Sequence, residues 1–159
     1  MSVAAFWTTL LIIHGLLALA LLGAITHQAV AVVVPARKAA GGFVVRFRAV
    51  PATVYATAIV VLYVLTFIMG AWIYAKYRTA VRIPLEQLGY WKTHGSFELK
   101  EHVAAIGLAL LPAYWYFWRQ PLAAEYAGTR KWLTVLLAAT VWYCFLVGHI
   151  VNNVRGFGI

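Results

Sequence analysis

The chain has 159 residues, of which 64% are hydrophobic and 11% are charged, and its mean hydropathy is +0.84. A soluble domain of this length cannot bury so much apolar surface, so these values exclude an ordinary soluble domain and indicate a membrane protein. The formal charge of +9 arises from 13 Lys and Arg residues against four acidic ones. The cations lie at the ends of apolar stretches, where they anchor helices to lipid headgroups, and we therefore expect no nucleic acid partner.

Four apolar stretches are long enough to cross a bilayer core of about 30 Å, which requires about 20 helical residues. They cover residues 5–34, 52–78, 98–118 and 130–152 and occupy most of the chain. The sequence thus predicts an all-α protein, an integral membrane four-helix bundle that forms a single transmembrane domain over 1–159. A short interfacial segment is expected between spans two and three, where apolar and charged residues alternate.

The charges on either side of the first span predict the orientation of the bundle in the membrane. No Lys or Arg occurs in residues 1–36, whereas Arg37, Lys38, Arg46 and Arg48 follow the span closely. Summed over all the loops, the two sides of the membrane carry similar numbers of cations, so the prediction of orientation depends on the charges around the first helix. The positive-inside rule then predicts an N-out, C-out bundle, and we expect a bacterial inner (cytoplasmic) membrane.

Five histidines are the most informative residues, because ionisable groups at membrane depth are costly and tend to face the bundle interior, where they find a partner or a metal. The predicted topology places His14, His102 and His149, from three different helices, at one level near the outer side. His94 precedes the third span on that same side. His27 lies 13 residues beyond His14 along the first helix, which puts it about 20 Å deeper.

The spacing of His14 and His27 resembles the ladder of di-haem cytochrome b proteins, in which each helix supplies one axial ligand to each of two stacked haems. The resemblance covers span one only. Spans three and four carry one histidine each, so the ligand count excludes a second bis-histidine haem within one chain. We expect His27 to bond a helix carbonyl, to cap the inner end of its helix, or to meet its own copy in a dimer.

The outer histidines predict one b-type haem, because two imidazoles from different helices of a bundle can clamp an iron porphyrin. Its axial ligands would be two of His14, His102 and His149. The same three imidazoles with a carboxylate also describe a copper or non-haem iron site, and this alternative stays open.

Further cofactor-binding residues are expected around these ligands, namely Glu98, Arg78, Arg82 and Trp142. The two arginines, together with Lys100, would bind propionates, and Trp142 would flank the porphyrin. Glu98 precedes His102 by four residues, so its carboxylate can accept the second ring proton of that histidine. A competing explanation places Glu98 and Glu101 in the first turn of a helix whose N-cap is Ser96.

No nucleotide-binding loop, zinc-protease motif or nucleophile elbow occurs in the sequence, so no catalytic residue is predicted. We expect an electron-transfer protein or the membrane cytochrome subunit of a larger oxidoreductase, passing electrons between a quinone or partner subunit and a periplasmic acceptor. One alternative is a metal-free accessory or scaffold subunit. Another is a copper- or iron-binding membrane protein. Expected partners are the lipid bilayer, a quinone, and other membrane or periplasmic subunits or a second copy of the chain.

Overall fold

The computed structural model describes residues 2–34, 52–120 and 123–154, and almost all of them are helical. The four long helices are α1 (Val3–Val33), α2 (Ala52–Tyr77), α4 (Trp91–Trp118) and α5 (Ala127–Val154). A π-helical turn (Arg78–Arg82) leads from α2 into the short helix α3 (Ile83–Gln87), and a 3₁₀ turn (Ala124–Tyr126) precedes α5. No strand occurs in these ranges, which confirms the all-α class for the part of the chain they cover.

The four long helices form a ring. Helix α1 packs against α2 and α5, and α4 packs against the same two helices, so α1 and α4 lie on opposite corners. We call the end at which α1 and α4 begin, and α2 and α5 finish, the amino end of the bundle. Ile25, Ile59, Tyr114 and Leu137 are fully buried and fill the centre of the ring.

Three helical stretches are long and apolar enough to cross a membrane, namely Val3–Val33, Thr53–Gln87 and Ala124–Val154. Their outer surfaces carry large exposed hydrophobic side chains such as Leu16, Ile68 and Ile150, which a bilayer would cover. The chain thus has the helices of an integral membrane protein. Helix α4 is not among the three, and charged residues interrupt its first half. Arg37, Lys38, Arg46 and Arg48, on which the predicted orientation depends, lie outside the described residues.

A tight reversal connects α3 to α4. The amide of Tyr90 donates to the carbonyl of Leu85 at 2.8 Å, and the amide of Gly89 donates to that of Glu86 at 3.1 Å. Gly89 has φ +76°, a left-handed conformation that favours glycine, so the reversal is a Schellman cap. Helix α4 consequently begins at Trp91, seven residues before the predicted span, and the interfacial segment is reduced to the π turn, α3 and this cap.

The early start of α4 removes one explanation for its carboxylates. The N-cap position is Tyr90 rather than Ser96, and the first turn contains no acidic residue. The predicted capping role of Glu98 and Glu101 is therefore wrong. Both carboxylates lie too far along the helix to meet its free N–H groups, which are confined to the first four residues.

Helices α2 and α4 approach each other closely at Gly107. The hydroxyl of Tyr63 crosses from α2 and donates to the backbone carbonyl of Ala104 at 2.9 Å. A Cβ at position 107 would lie 2.0 Å from that hydroxyl oxygen and 2.8 Å from Cγ2 of Thr140. Glycine at this position thus allows a buried tyrosine to hydrogen-bond between the two helices.

We expect Gly107→Ala to lower the free energy of unfolding by about 1 to 3 kcal/mol, because the added methyl group overpacks the contact with Tyr63. Thermal unfolding in detergent measures the change. Gly23→Ala is the matched control, since nothing lies within 4 Å of a Cβ there. That control should be neutral or slightly stabilising. Equal stability of the two variants would contradict the close approach of α2 and α4.

Candidate functional site

A cavity of about 270 Å³, partly open to the surface, lies at the amino end of the bundle and is lined by all four long helices. Most of its wall is apolar and includes the rings of Phe67, Phe97 and Phe145. Polar groups enter it from every helix, namely His14, Tyr63, Thr66, Tyr77, Lys100, Glu101, Cys144, His149 and Asn152. An apolar pocket with a few convergent polar groups is the usual form of a small-molecule site.

His14 reaches this cavity from α1. Its ring is half-buried and points across to α2, where Cε1 would lie 3.1 Å from a Cβ at Gly70. The absence of a side chain at Gly70 makes room for the ring. Nδ1 of His14 is buried and has no hydrogen-bond partner among the residues of ranges 2–34, 52–120 and 123–154. A buried ring nitrogen without a partner is costly, and a ligand in the cavity would satisfy it.

Lys100 and Glu101 place an ion pair at the cavity wall. Nζ of Lys100 lies 2.7 Å from Oε1 of Glu101 and 4.4 Å from the centroid of the Phe97 ring. The two side chains are only 12% and 24% exposed. Mutual neutralisation makes the pair tolerable in apolar surroundings, and the amine keeps further N–H groups with which to bind a ligand.

Helix α5 contributes His149 and Cys144. The His149 ring is exposed on one side and stacks on Phe145 with an interplanar angle of 2° and a centroid distance of 6.3 Å. The thiol of Cys144 donates to the backbone carbonyl of Lys100 at 3.6 Å. The same lysine passes close to Gly148, so α5 packs along the side chain of Lys100. His14 and His149 are thus the two predicted ligand histidines that line one cavity.

His102 lies elsewhere. Its side chain is exposed on the outer face of α4 and does not line the cavity, and its Nδ1 lies 2.8 Å from the backbone carbonyl of Glu98. The Glu98 carboxylate instead accepts hydrogen bonds of 2.9 and 3.1 Å from the Tyr74 hydroxyl. The i, i+4 spacing placed the two residues on neighbouring turns as expected, but the contact with His102 is made by the backbone carbonyl and not by the carboxylate.

The remaining predicted cofactor residues also lie outside the cavity lining. Arg82 donates to Glu86 at 2.7 Å, and Arg78 lies in the same π turn. Trp142 is exposed and donates to the Thr26 hydroxyl at 2.9 Å, on a groove between α1 and α5 that also includes His27. His27 itself bonds to the hydroxyl of Tyr55 at 2.8 Å, so its partner is a side chain of α2.

The predicted three-histidine metal site is not assembled. Across the described parts of the chain, no group of three or more His, Cys, Asp or Glu side chains is arranged to hold a metal ion. The reason is the rotation of α4, which presents Lys100 and Glu101 to the cavity and turns His102 to the outer surface of the bundle.

The predicted propionate-binding residue Lys100 therefore lines the cavity, whereas Glu101 was not among the predicted cofactor-binding residues. The signal that could have placed both of them on the cavity wall is the cap residue Gly89, which ends one helix shortly before the next begins. In a helix that begins at Trp91, Lys100 and Glu101 are the tenth and eleventh residues and lie at the end of the third turn. That is deep enough in the bundle to face a cavity.

Comparison with protein-family models, with curated proteins and with solved structures finds no match to this chain. The function is therefore inferred from the site alone.

We expect Glu101→Gln to destabilise the protein by about 1 to 3 kcal/mol, because it leaves the Lys100 ammonium partly buried without its counter-ion. The double variant Lys100→Met with Glu101→Gln should recover much of this loss, since it removes both charges. Thermal unfolding of the two single variants and the double variant gives the coupling energy. Additive effects would mean that the two groups do not form a pair at the cavity wall.

Proposed function

We propose that this chain is a membrane electron-transfer protein whose interior cavity binds the head group of a lipid-soluble quinone. The observation that carries the proposal is the buried Nδ1 of His14, which has no hydrogen-bond partner among the residues that the structure describes and lies beside an apolar cavity that also contains the Lys100 amine. Quinone carbonyl oxygens accept hydrogen bonds, an ammonium group donates them, and a neutral imidazole donates from Nδ1 in the tautomer that has its one ring proton there.

The size and lining of the cavity favour a single substituted ring. Its volume of about 270 Å³ lies just below the usual range for small-molecule pockets, which is roughly 300 to 1,000 Å³. A flat ring can pack against Phe67, Phe97 and Phe145, and an isoprenoid tail can leave between helices into the bilayer. The groups that fix the ring would be His14 on one side and Lys100 on the other.

In this proposal all four long helices cross the membrane. Helix α4 has 28 residues, about 42 Å at 1.5 Å per residue, and packs along two helices that are apolar enough to span. Its charges lie toward the amino end, where the Lys100 ammonium is paired with Glu101. The proposed orientation is N-out and C-out in a bacterial inner membrane. A partner subunit or periplasmic protein would exchange electrons with the quinone.

The test is binding of a short-chain benzoquinone or naphthoquinone to the purified protein in lipid nanodiscs, measured by calorimetry. We expect His14→Ala to weaken binding about five- to tenfold, because one hydrogen bond of about 1 to 1.5 kcal/mol is lost. His102→Ala is the matched control, since this histidine is exposed on the outer face of α4. It should bind as the wild type does. Absence of binding to the wild-type protein would exclude the proposal.

A b-type haem is the second candidate, favoured by the pair of imidazoles on neighbouring helices, His14 of α1 and His149 of α5, that line one cavity. If bound, haem would supply one-electron redox chemistry. Lys100 would lie near enough to pair with a propionate, in competition with Glu101. The volume counts against this candidate, because a porphyrin of four pyrrole rings would require the helices to separate.

Visible spectra of the purified protein, oxidised and then reduced with dithionite, distinguish the two candidates. A sharp Soret band with resolved α and β bands on reduction would support haem. In that case His14→Ala and His149→Ala should each lose the spectrum, whereas His102→Ala and His27→Ala should retain it. A colourless protein that carries extractable quinone supports the first candidate. A colourless protein with bound copper or iron, or with neither metal nor quinone, would support the metal-binding or scaffold alternatives.

A further inference from the structure

A chain of hydrogen-bonding side chains runs from the cavity lining to the surface at the amino end of the bundle. Tyr77, at the end of α2, lines the cavity and is 2% exposed. Its hydroxyl lies 3.2 Å from Nδ1 of His94. The other ring nitrogen of His94, Nε2, lies 3.3 Å from Oε1 of Glu86, whose side chain is 27% exposed. Three side chains from α2, α4 and α3 therefore lead from the cavity to the surface.

We infer that Tyr77, His94 and Glu86 form the route by which protons pass between the bound quinone and the aqueous side at the amino end. The inference rests on the proposed function, because only a ligand whose redox state is coupled to protonation requires such a route. Reduction of a quinone to a quinol consumes two electrons and two protons. Oxidation of the quinol releases them.

His94 suits the central position because both of its ring nitrogens have polar neighbours. Glu86 from α3 lies beside Nε2, and the hydroxyl of Tyr77 from α2 lies beside Nδ1. Oε1 of Glu98 is also 3.8 Å from Nδ1. A neutral imidazole can accept a proton at one nitrogen and release one from the other, which is the requirement for a proton shuttle.

Charged side chains surround His94. The carboxylates of Glu86 and Glu98 lie beside its ring, and Arg82 is paired with Glu86 at 2.7 Å. Nη1 of Arg82 also lies 3.9 Å from Oε1 of Glu98. The π turn that carries Arg82 thus holds its guanidinium against both carboxylates.

Tyr77 is held in place by aromatic packing and not only by its hydroxyl. Its ring stacks on Phe97 at a centroid distance of 3.8 Å, and Phe97 also lines the cavity. Removal of the hydroxyl alone should therefore leave the packing intact while interrupting the route. The neighbouring Tyr74 gives a matched control, because it donates to Glu98 but does not line the cavity.

The experiment measures proton uptake when the bound quinone is reduced in nanodiscs by a soluble viologen that has been reduced beforehand at an electrode and releases no proton on oxidation, with a pH-indicator dye and stopped-flow detection. Tyr77→Phe should bind quinone with the wild-type affinity but take up protons at least tenfold more slowly, with an increased solvent deuterium isotope effect. Tyr74→Phe should behave as the wild type does. His94→Ala should be slow in the same way, and added imidazole should restore its rate, which a purely structural role would not permit.

The outcomes separate the two proposals. If the wild-type protein binds no quinone, both the proposed function and this route are excluded. If the quinone binds but Tyr77→Phe and His94→Ala take up protons at the wild-type rate, the route is wrong and the binding function stands. Loss of quinone affinity in Tyr77→Phe would instead make this residue a ligand contact, and the proton route would then also be rejected.

Discussion

Polar side chains at the amino end of this bundle lie within reach of one another because the surroundings of the apolar helices offer them no other partners. In hydrocarbon an unsatisfied donor or charge costs several kcal/mol, so such groups turn inward and pair. Lys100 pairs with Glu101, the Tyr74 hydroxyl donates to Glu98, and Arg82 donates to Glu86. The first of these pairs lines the cavity, and the buried cavity nitrogen that has no hydrogen-bond partner among the described residues is Nδ1 of His14.

Many of these polar side chains lie on helix α4. Two of the chain's four carboxylates, Glu98 and Glu101, lie on it, together with Lys100 and His94. Its partners on either side are almost wholly apolar over their central turns, as their membrane-spanning composition requires. A polar helix against apolar neighbours is stable here because the short connection through Gly89 fixes its rotation and pairs its charges with groups on α2 and α3.

The close approach at Gly107 and the cavity above it belong to one arrangement. Tyr63 crosses between α2 and α4, donates to Ala104 and also forms part of the cavity lining. Toward the opposite end the interior is filled by Ile25, Ile59 and Tyr114, all of them fully buried. The bundle is therefore closely packed at one level and open at another. This division gives a ligand a defined depth at which to bind.

The stretches predicted to form spans are helical throughout the residues that the structure describes, because 20 or more apolar residues in a row have no other way to satisfy their backbone in a membrane. The start of α4 was misplaced by seven residues, since the sequence reading gave weight to apolar content and not to the glycine that reverses the chain. Because the helix begins seven residues earlier, Glu98 and Glu101 do not lie in its first turn. Glu101 pairs with Lys100 at the cavity, and Glu98 contacts Tyr74 of α2.

Composition and hydropathy alone determined the class of the protein, the helical content and the end of the bundle at which four of its five histidines lie. The same sequence could not decide which face of each helix turns inward, because α1, α2 and α4 carry little amphipathic signal. Rotation is set by contacts between helices, such as His14 against Gly70 and Tyr63 against Gly107. Those contacts brought His14, Lys100, Glu101 and His149 to one cavity and turned His102 away from it.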